Sequence, residues 1–93
     1  MPEFFVRIEV RLPPELPEPQ RAKLLDAESA RGRELIEAGK LRRIWRVPGR
    51  MANVSLYDVA DADELHELLS SLPLARWMDI RVEALAVHPL EQG

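Results

Sequence analysis

The chain has 93 residues, 46% of them hydrophobic, with 13 Lys and Arg against 16 Asp and Glu and no cysteine. That length fits one small domain over residues 1–93, since a single core needs roughly 100 residues. The missing cysteines exclude disulfides, thiolate metal sites and a cysteine nucleophile. No apolar run approaches the ~18 residues of a membrane span, so no membrane partner is expected. The start, Met1-Pro2-Glu3, lacks the basic and apolar runs of a signal peptide, and a cytoplasmic setting is expected.

Phe4 to Leu12 alternates, with Phe4, Val6, Ile8, Val10 and Leu12 on one side and Arg7, Glu9 and Arg11 on the other. A period of two predicts a half-buried strand. Pro13-Pro14 ends it, and the loop runs to Pro19. From about Gln20 to Ala38 the period becomes helical, with Leu25, Gly32 and Leu35 on one stripe and Leu24 and Ile36 beside it. Gly39 supplies the stop. Leu41–Val47 and Ala52–Val59 read as strands of a hairpin turned at Pro48-Gly49. Asp61-Ala-Asp-Glu64 is a capping box that opens a second helix, whose stripe is Leu65, Leu68, Leu69 and Leu72. Met78 to His88 reads as the last strand, with a bulge expected near Ala84-Leu85. Pro89 to Gly93 is a polar tail.

The order β-α-β-β-α-β is the split-βαβ pattern of ferredoxin-like α+β folds. It predicts a four-stranded antiparallel sheet with two helices on one face. The other face, with Arg43 and Trp45, is left open, and such a face commonly packs on a second copy.

The charge is unevenly spread. Residues 31–50 hold seven basic and two acidic groups, while residues 51–93 hold two basic and eight acidic. The basic block is either solvated surface charge or a local site for a small anion, a carboxylate or phosphate. One residue breaks the first helix's pattern. Glu28 follows Leu25 by three and precedes Gly32 by four, so it points with the apolar stripe. It is either a carboxylate at the core margin, salt-bridged to an arginine, or an acid in a partly dry pocket with a raised pKa, fit to move a proton. Gly32 costs about 1 kcal/mol in mid-helix and leaves room beside Glu28.

Other chemistries lack support. His66 and His88 lie in different elements without carboxylates at ligand spacing, so no metal is expected. His66 reads as a boundary residue of the second helix, and His88 as a strand-end residue. The four glycines form no phosphate loop, and no serine sits in a nucleophile elbow. Cofactor-free proton transfer remains, which needs only a base, donors for the developing oxyanion and a binding charge.

A string of short motifs in order carries a resemblance. They are Leu41-Arg-Arg-Ile-Trp-Arg46, Ala52-Asn53, Leu65-His66-Glu-Leu-Leu, Leu72-Pro73-Leu74, Met78-Asp79-Ile80 and His88-Pro89, with Val6 to Pro13 before them. Together they resemble muconolactone Δ-isomerase, nearly end to end. The resemblance implies a dimeric α+β barrel type of fold and a large homo-oligomer built from dimers. It implies a cofactor-free isomerase of aromatic-compound breakdown, the β-ketoadipate route. Its substrate would be a small anionic lactone, muconolactone, converted to 3-oxoadipate enol-lactone. The family's helix-borne glutamate matches Glu28, and its asparagine at the start of the third strand matches Asn53. Arg42 and Arg46 match family positions and, by charge, are candidates to hold the substrate's carboxylate from one strand face. A family tyrosine two residues before the asparagine is Met51 here, a thioether that donates no strong hydrogen bond. Tyr57 shares the strand face but lies six residues on, roughly 20 Å at ~3.3 Å per residue. Family histidines correspond to Arg50 and Arg43, and a lysine after the glutamate to Ser29. Two other readings are a related lactone isomerase or dehalogenase with a different substrate, and a non-catalytic protein that binds small acids; the weakly acidic balance argues against a nucleic-acid partner.

Overall fold

The computed structural model describes residues 2–92. Strand β1 (Glu3–Val10) leads to helix α1 (Glu18–Glu37), then to the hairpin β2 (Leu41–Arg46) and β3 (Ala52–Asp58). Helix α2 (Ala62–Ser70), a 3-10 turn at Ala75–Trp77 and strand β4 (Met78–Leu85) follow. The strands form one antiparallel sheet in the order β2-β3-β1-β4. This is the ferredoxin-like α+β arrangement that the element order predicts.

The alternation in β1 is realised as expected. Phe4, Val6 and Ile8 are buried, and Leu35 of α1 joins Leu65 and Leu69 of α2 in the same core, so both helices cover one face. On the opposite face, Arg7 stands across from Arg81 and Glu9 across from Asp79.

Several boundaries shift. Helix α1 begins at Glu18 because Pro19 falls in its first turn, where a fixed φ suits the helix and no N–H is needed. It ends where Gly39 takes φ 76°. The Gly39 N–H donates to the Ile36 carbonyl at 3.0 Å and the Lys40 N–H to the Leu35 carbonyl at 3.0 Å, the paired bonds of a Schellman motif. Strand β4 stops at Leu85 rather than His88, and its register with β1 is unbroken from Glu3–Leu85 to Val10–Met78. The bulge expected near Ala84-Leu85 is therefore absent from β4. The alternation fades there because the strand is ending. A bulge lies instead in β2, where the register shifts between Leu41 and Arg43. Arg42 is the extra residue.

At the start of α2, the Asp61 side chain accepts a hydrogen bond from the Glu64 N–H at 2.8 Å. Glu64 reaches back to the Ala60 N–H at 2.7 Å and pairs with Lys40 Nζ at 3.0 Å. These contacts hold the Glu64 carboxyl below the usual carboxylate range, the Ala60 N–H more than Lys40. Asp61→Ala is expected to lower stability by about 1 kcal/mol, read as a shifted midpoint in urea unfolding, because the Glu64 N–H loses its cap.

Candidate active site

Helix α1 buries only Leu35 along its 20 residues. Its middle stands off the sheet, and the gap is occupied by two adjoining cavities of about 380 and 290 Å³. Glu28, Ser29, Ile44 and Asn53 line both. The outer cavity is completed by residues that include Leu25, Arg46, Met51 and Leu74. The inner one runs past Gly32 towards Tyr57 and Leu72.

Glu28 sits on the wall between the two. Its Oε1 accepts a hydrogen bond from the Leu74 N–H at 3.0 Å. No ion pair to this carboxylate forms among the described residues. The partner is thus a backbone amide of the segment before β4, not an arginine. Burial pushes the Glu28 carboxyl above the usual carboxylate range, and the Leu74 N–H pulls it part of the way back. A desolvated carboxylate is the stronger base, and it gives its proton back at a pH nearer neutrality.

Asn53 faces the same gap. In the sheet it stands between Ile8 and Arg46. Its Oδ1 is buried and has no hydrogen-bond partner among the described residues. Buried amide oxygens are nearly always paired, so an open one beside a cavity suits a ligand group. Arg46, directly across from Asn53, lines the outer cavity and makes no ion pair among the described residues. Met51 lines the same cavity, 44% exposed, and its carbonyl accepts from the Val10 N–H at 2.9 Å. The structure therefore gathers Glu28, Asn53, Arg46 and Met51.

It does not bring Arg42 to them. The expectation that Arg42 and Arg46 share a strand face meets the β2 bulge, which takes Arg42 out of the alternation. Arg42 Nη1 pairs instead with Asp58 Oδ2 at 3.1 Å. Both histidines lie elsewhere. His66 meets Ser70 Oγ at 3.5 Å on exposed α2, and His88 Nδ1 accepts from the Leu90 N–H at 3.1 Å in the tail. Among the described residues no group of three or more His, Asp or Glu is placed to hold a metal.

One lining residue escapes a sequence reading, and Tyr57, which spacing along the strand sets aside, lines the inner cavity. Leu74 acts through its backbone N–H, which carries no side-chain signature. Tyr57, 3% exposed, closes the far side of the inner cavity. Burial, with the Glu28 charge adding to it against Arg31, pushes the Tyr57 phenol up to about 12. It stays protonated and is a hydrogen-bond donor near Glu28's cavity.

The family model for muconolactone delta-isomerase matches residues 2–91. This chain belongs to the muconolactone delta-isomerase family. The muconolactone delta-isomerase of Acinetobacter baylyi is 43% identical over 86 residues, covering 92% of this chain and 90% of its own length. That of Cupriavidus pinatubonensis is also 43% identical over 86 residues, covering 92% and 94%. A crystal structure of muconolactone isomerase superposes with a TM-score of 0.89 at 36% identity, covering 94% of this chain and 91% of that one. Family and fold thus agree with the resemblance carried by the short motifs, and the chain is an isomerase of this family.

A raised carboxyl has a signed effect on stability. The folded state binds the Glu28 proton more tightly than the unfolded chain does. Stability from this group is therefore present below the ordinary carboxylate value and declines as pH rises through the raised one. Glu28→Gln keeps an oxygen for the Leu74 N–H but carries no charge. Its urea midpoint should exceed that of the wild type at pH 7, with the gap closing as pH falls below the ordinary carboxylate value.

Proposed function

We propose that this chain converts muconolactone to 3-oxoadipate enol-lactone by a cofactor-free 1,3-proton shift with Glu28 as the single shuttle base. The observation that carries this is a desolvated carboxylate, held by one backbone N–H, on the wall of a cavity large enough for a small lactone. The Glu28 carboxylate takes the proton from the ring carbon that bears the carboxymethyl arm. The electron pair moves through the ring double bond to the lactone carbonyl, giving a dienolate. Glu28 then returns the proton to the carbon beside the carbonyl, and the double bond has moved one position. No atom is gained or lost. A single base serves both carbons because they lie on the same ring, within reach of one carboxylate.

The Asn53 side-chain N–H is the proposed donor to the lactone oxygen, where negative charge develops. Arg46 holds the carboxymethyl group as a fixed cation, and Met51 forms an apolar wall against the ring. Arg42 has no part in the protomer's cavity, because Asp58 engages it. The family relationship supports a role in aromatic-compound breakdown, the β-ketoadipate route, and a cytoplasmic setting.

The open sheet face supports the second element of the proposal, a homo-oligomer built from dimers. Phe5, Leu56 and Trp45 give that face an apolar half. Its other half carries like charges directly opposed, Arg7 on Arg81 and Glu9 on Asp79, with Arg50 and Arg11 paired to Glu9. A second copy turned about a two-fold axis can set the arginine row of one protomer against the acidic row of the other.

Loss of the ultraviolet absorbance of the conjugated lactone measures turnover. Glu28→Gln should lower kcat by about 10²–10⁴-fold, the usual contribution of general acid–base catalysis, with the oligomer intact. Arg46→Ala should mainly raise KM, by about tenfold, as expected for a lost charge-assisted bond. Full activity in Glu28→Gln rules out the shuttle, and tight binding of the lactone without conversion in the wild type favours a non-catalytic binding protein. Light scattering should give a mass that is a multiple of 10.7 kDa, and Leu56→Asp should reduce it to that of the protomer. A wild-type chain that is monomeric at micromolar concentration rules out the dimer.

A further inference from the structure

Gly32 lies in the middle of α1, where glycine is the poorest helix former apart from proline. Nothing in the fold requires it. Its φ is not positive, and a Cβ built there meets no atom within 4 Å. The empty space above it is the inner cavity. That cavity is a continuation of the site beyond Glu28; Ile8, Ile36, Leu41, Ile44 and Leu72 form an apolar wall, and Arg33 and Ser55 are among its polar members. The cation assigned to the substrate's carboxylate, Arg46, lies in the outer cavity, on the other side of Glu28.

Substrate placement follows from these two facts. With the carboxymethyl arm at Arg46 and the ring across Glu28, the ring edge remote from the arm points into the inner cavity. A bare ring leaves that apolar space unfilled. We infer that the inner cavity receives a small alkyl group on the lactone ring, and that Gly32 is the specificity-determining residue that keeps it open. The inference rests on Glu28 being the shuttle base, and it adds ring-alkylated lactones to the substrate class. Chemically such a lactone isomerises by the same proton shift, because the alkyl group takes no part in it. It also places the protein after a step that closes an alkyl-substituted, doubly unsaturated diacid into a lactone.

The test compares muconolactone with analogues that carry a methyl group on either olefinic ring carbon, in the wild type, Gly32→Ala and Gly32→Leu. Alanine and leucine are better helix formers than glycine, and circular dichroism with urea unfolding verifies that both variants fold. The wild type should turn over at least one methylated lactone with kcat/KM no lower than that for muconolactone. Gly32→Leu should lower kcat/KM for the methylated lactone by ten- to two-hundredfold relative to muconolactone, the range that one methyl-sized misfit produces in an apolar pocket. Gly32→Ala should fall between. If the wild type converts muconolactone but no methylated analogue, or if Gly32→Leu changes both substrates in proportion, the inner cavity does not select ring substituents and the inference fails alone. If the wild type converts none of these lactones, the shuttle reading of Glu28 fails and this inference falls with it.

Discussion

The hydrogen bond from the Leu74 N–H to Glu28 joins two parts of the chain that otherwise have little reason to meet. Glu28 belongs to a helix whose central turns are held away from the sheet, and Leu74 belongs to the segment that leads into β4. The bond lets a carboxylate sit in a largely apolar gap without an arginine beside it. An arginine would have lowered the carboxyl's pKa and occupied its oxygens. A backbone amide satisfies one oxygen, adds no net charge and cannot swing away. Leu74 itself is 1% exposed, so the donor is anchored by packing.

The rest of the site follows from how the sheet is framed around that bond. The core is concentrated where α2 and the C-terminal turn of α1 meet β1 and β3. The cavities open beside it on the same face, and the inner one shares Ile8, Leu41, Tyr57 and Leu72 with the core. Polar residues of β3 can line the cavity at Asn53 while Tyr57, two pleats along, belongs to the core. Tyr57 serves both, with its ring in the core and its surroundings open to the inner cavity.

Much of this was legible in the residues. The period of two in β1, the period change at the first helix and the Asp61 capping box specify the fold because each is a local rule that the tertiary structure leaves unopposed. Glu28 stood out because it interrupts an apolar stripe. The parts that were not legible are those that depend on register or on backbone. The bulge at Arg42 has no glycine to announce it, and alternation alone puts Arg42 beside Arg46. The apparent loss of period at Ala84-Leu85 marks the end of a strand, and pattern cannot tell that from a bulge. The Leu74 amide is invisible because every residue but proline offers the same group.

The bulge in β2 works as a phase inversion. A strand's side chains alternate strictly, so one extra residue exchanges the two faces for everything after it. Counted from Leu41, which packs on the core, an unbroken strand would turn Arg43 and Trp45 towards Glu28 and leave Ile44 and Arg46 on the open sheet. With Arg42 inserted the assignment reverses. Arg46 faces Asn53's side of the sheet, and Arg43 stacks on Trp45 at 4.9 Å on the other side. The hairpin is thus a selector between two arginines of identical chemistry. One residue of chain length determines which cation meets the cavity and which one lies on the open sheet face, and deleting Arg42 would straighten β2 while leaving Arg43 and Arg46 on the faces they now hold.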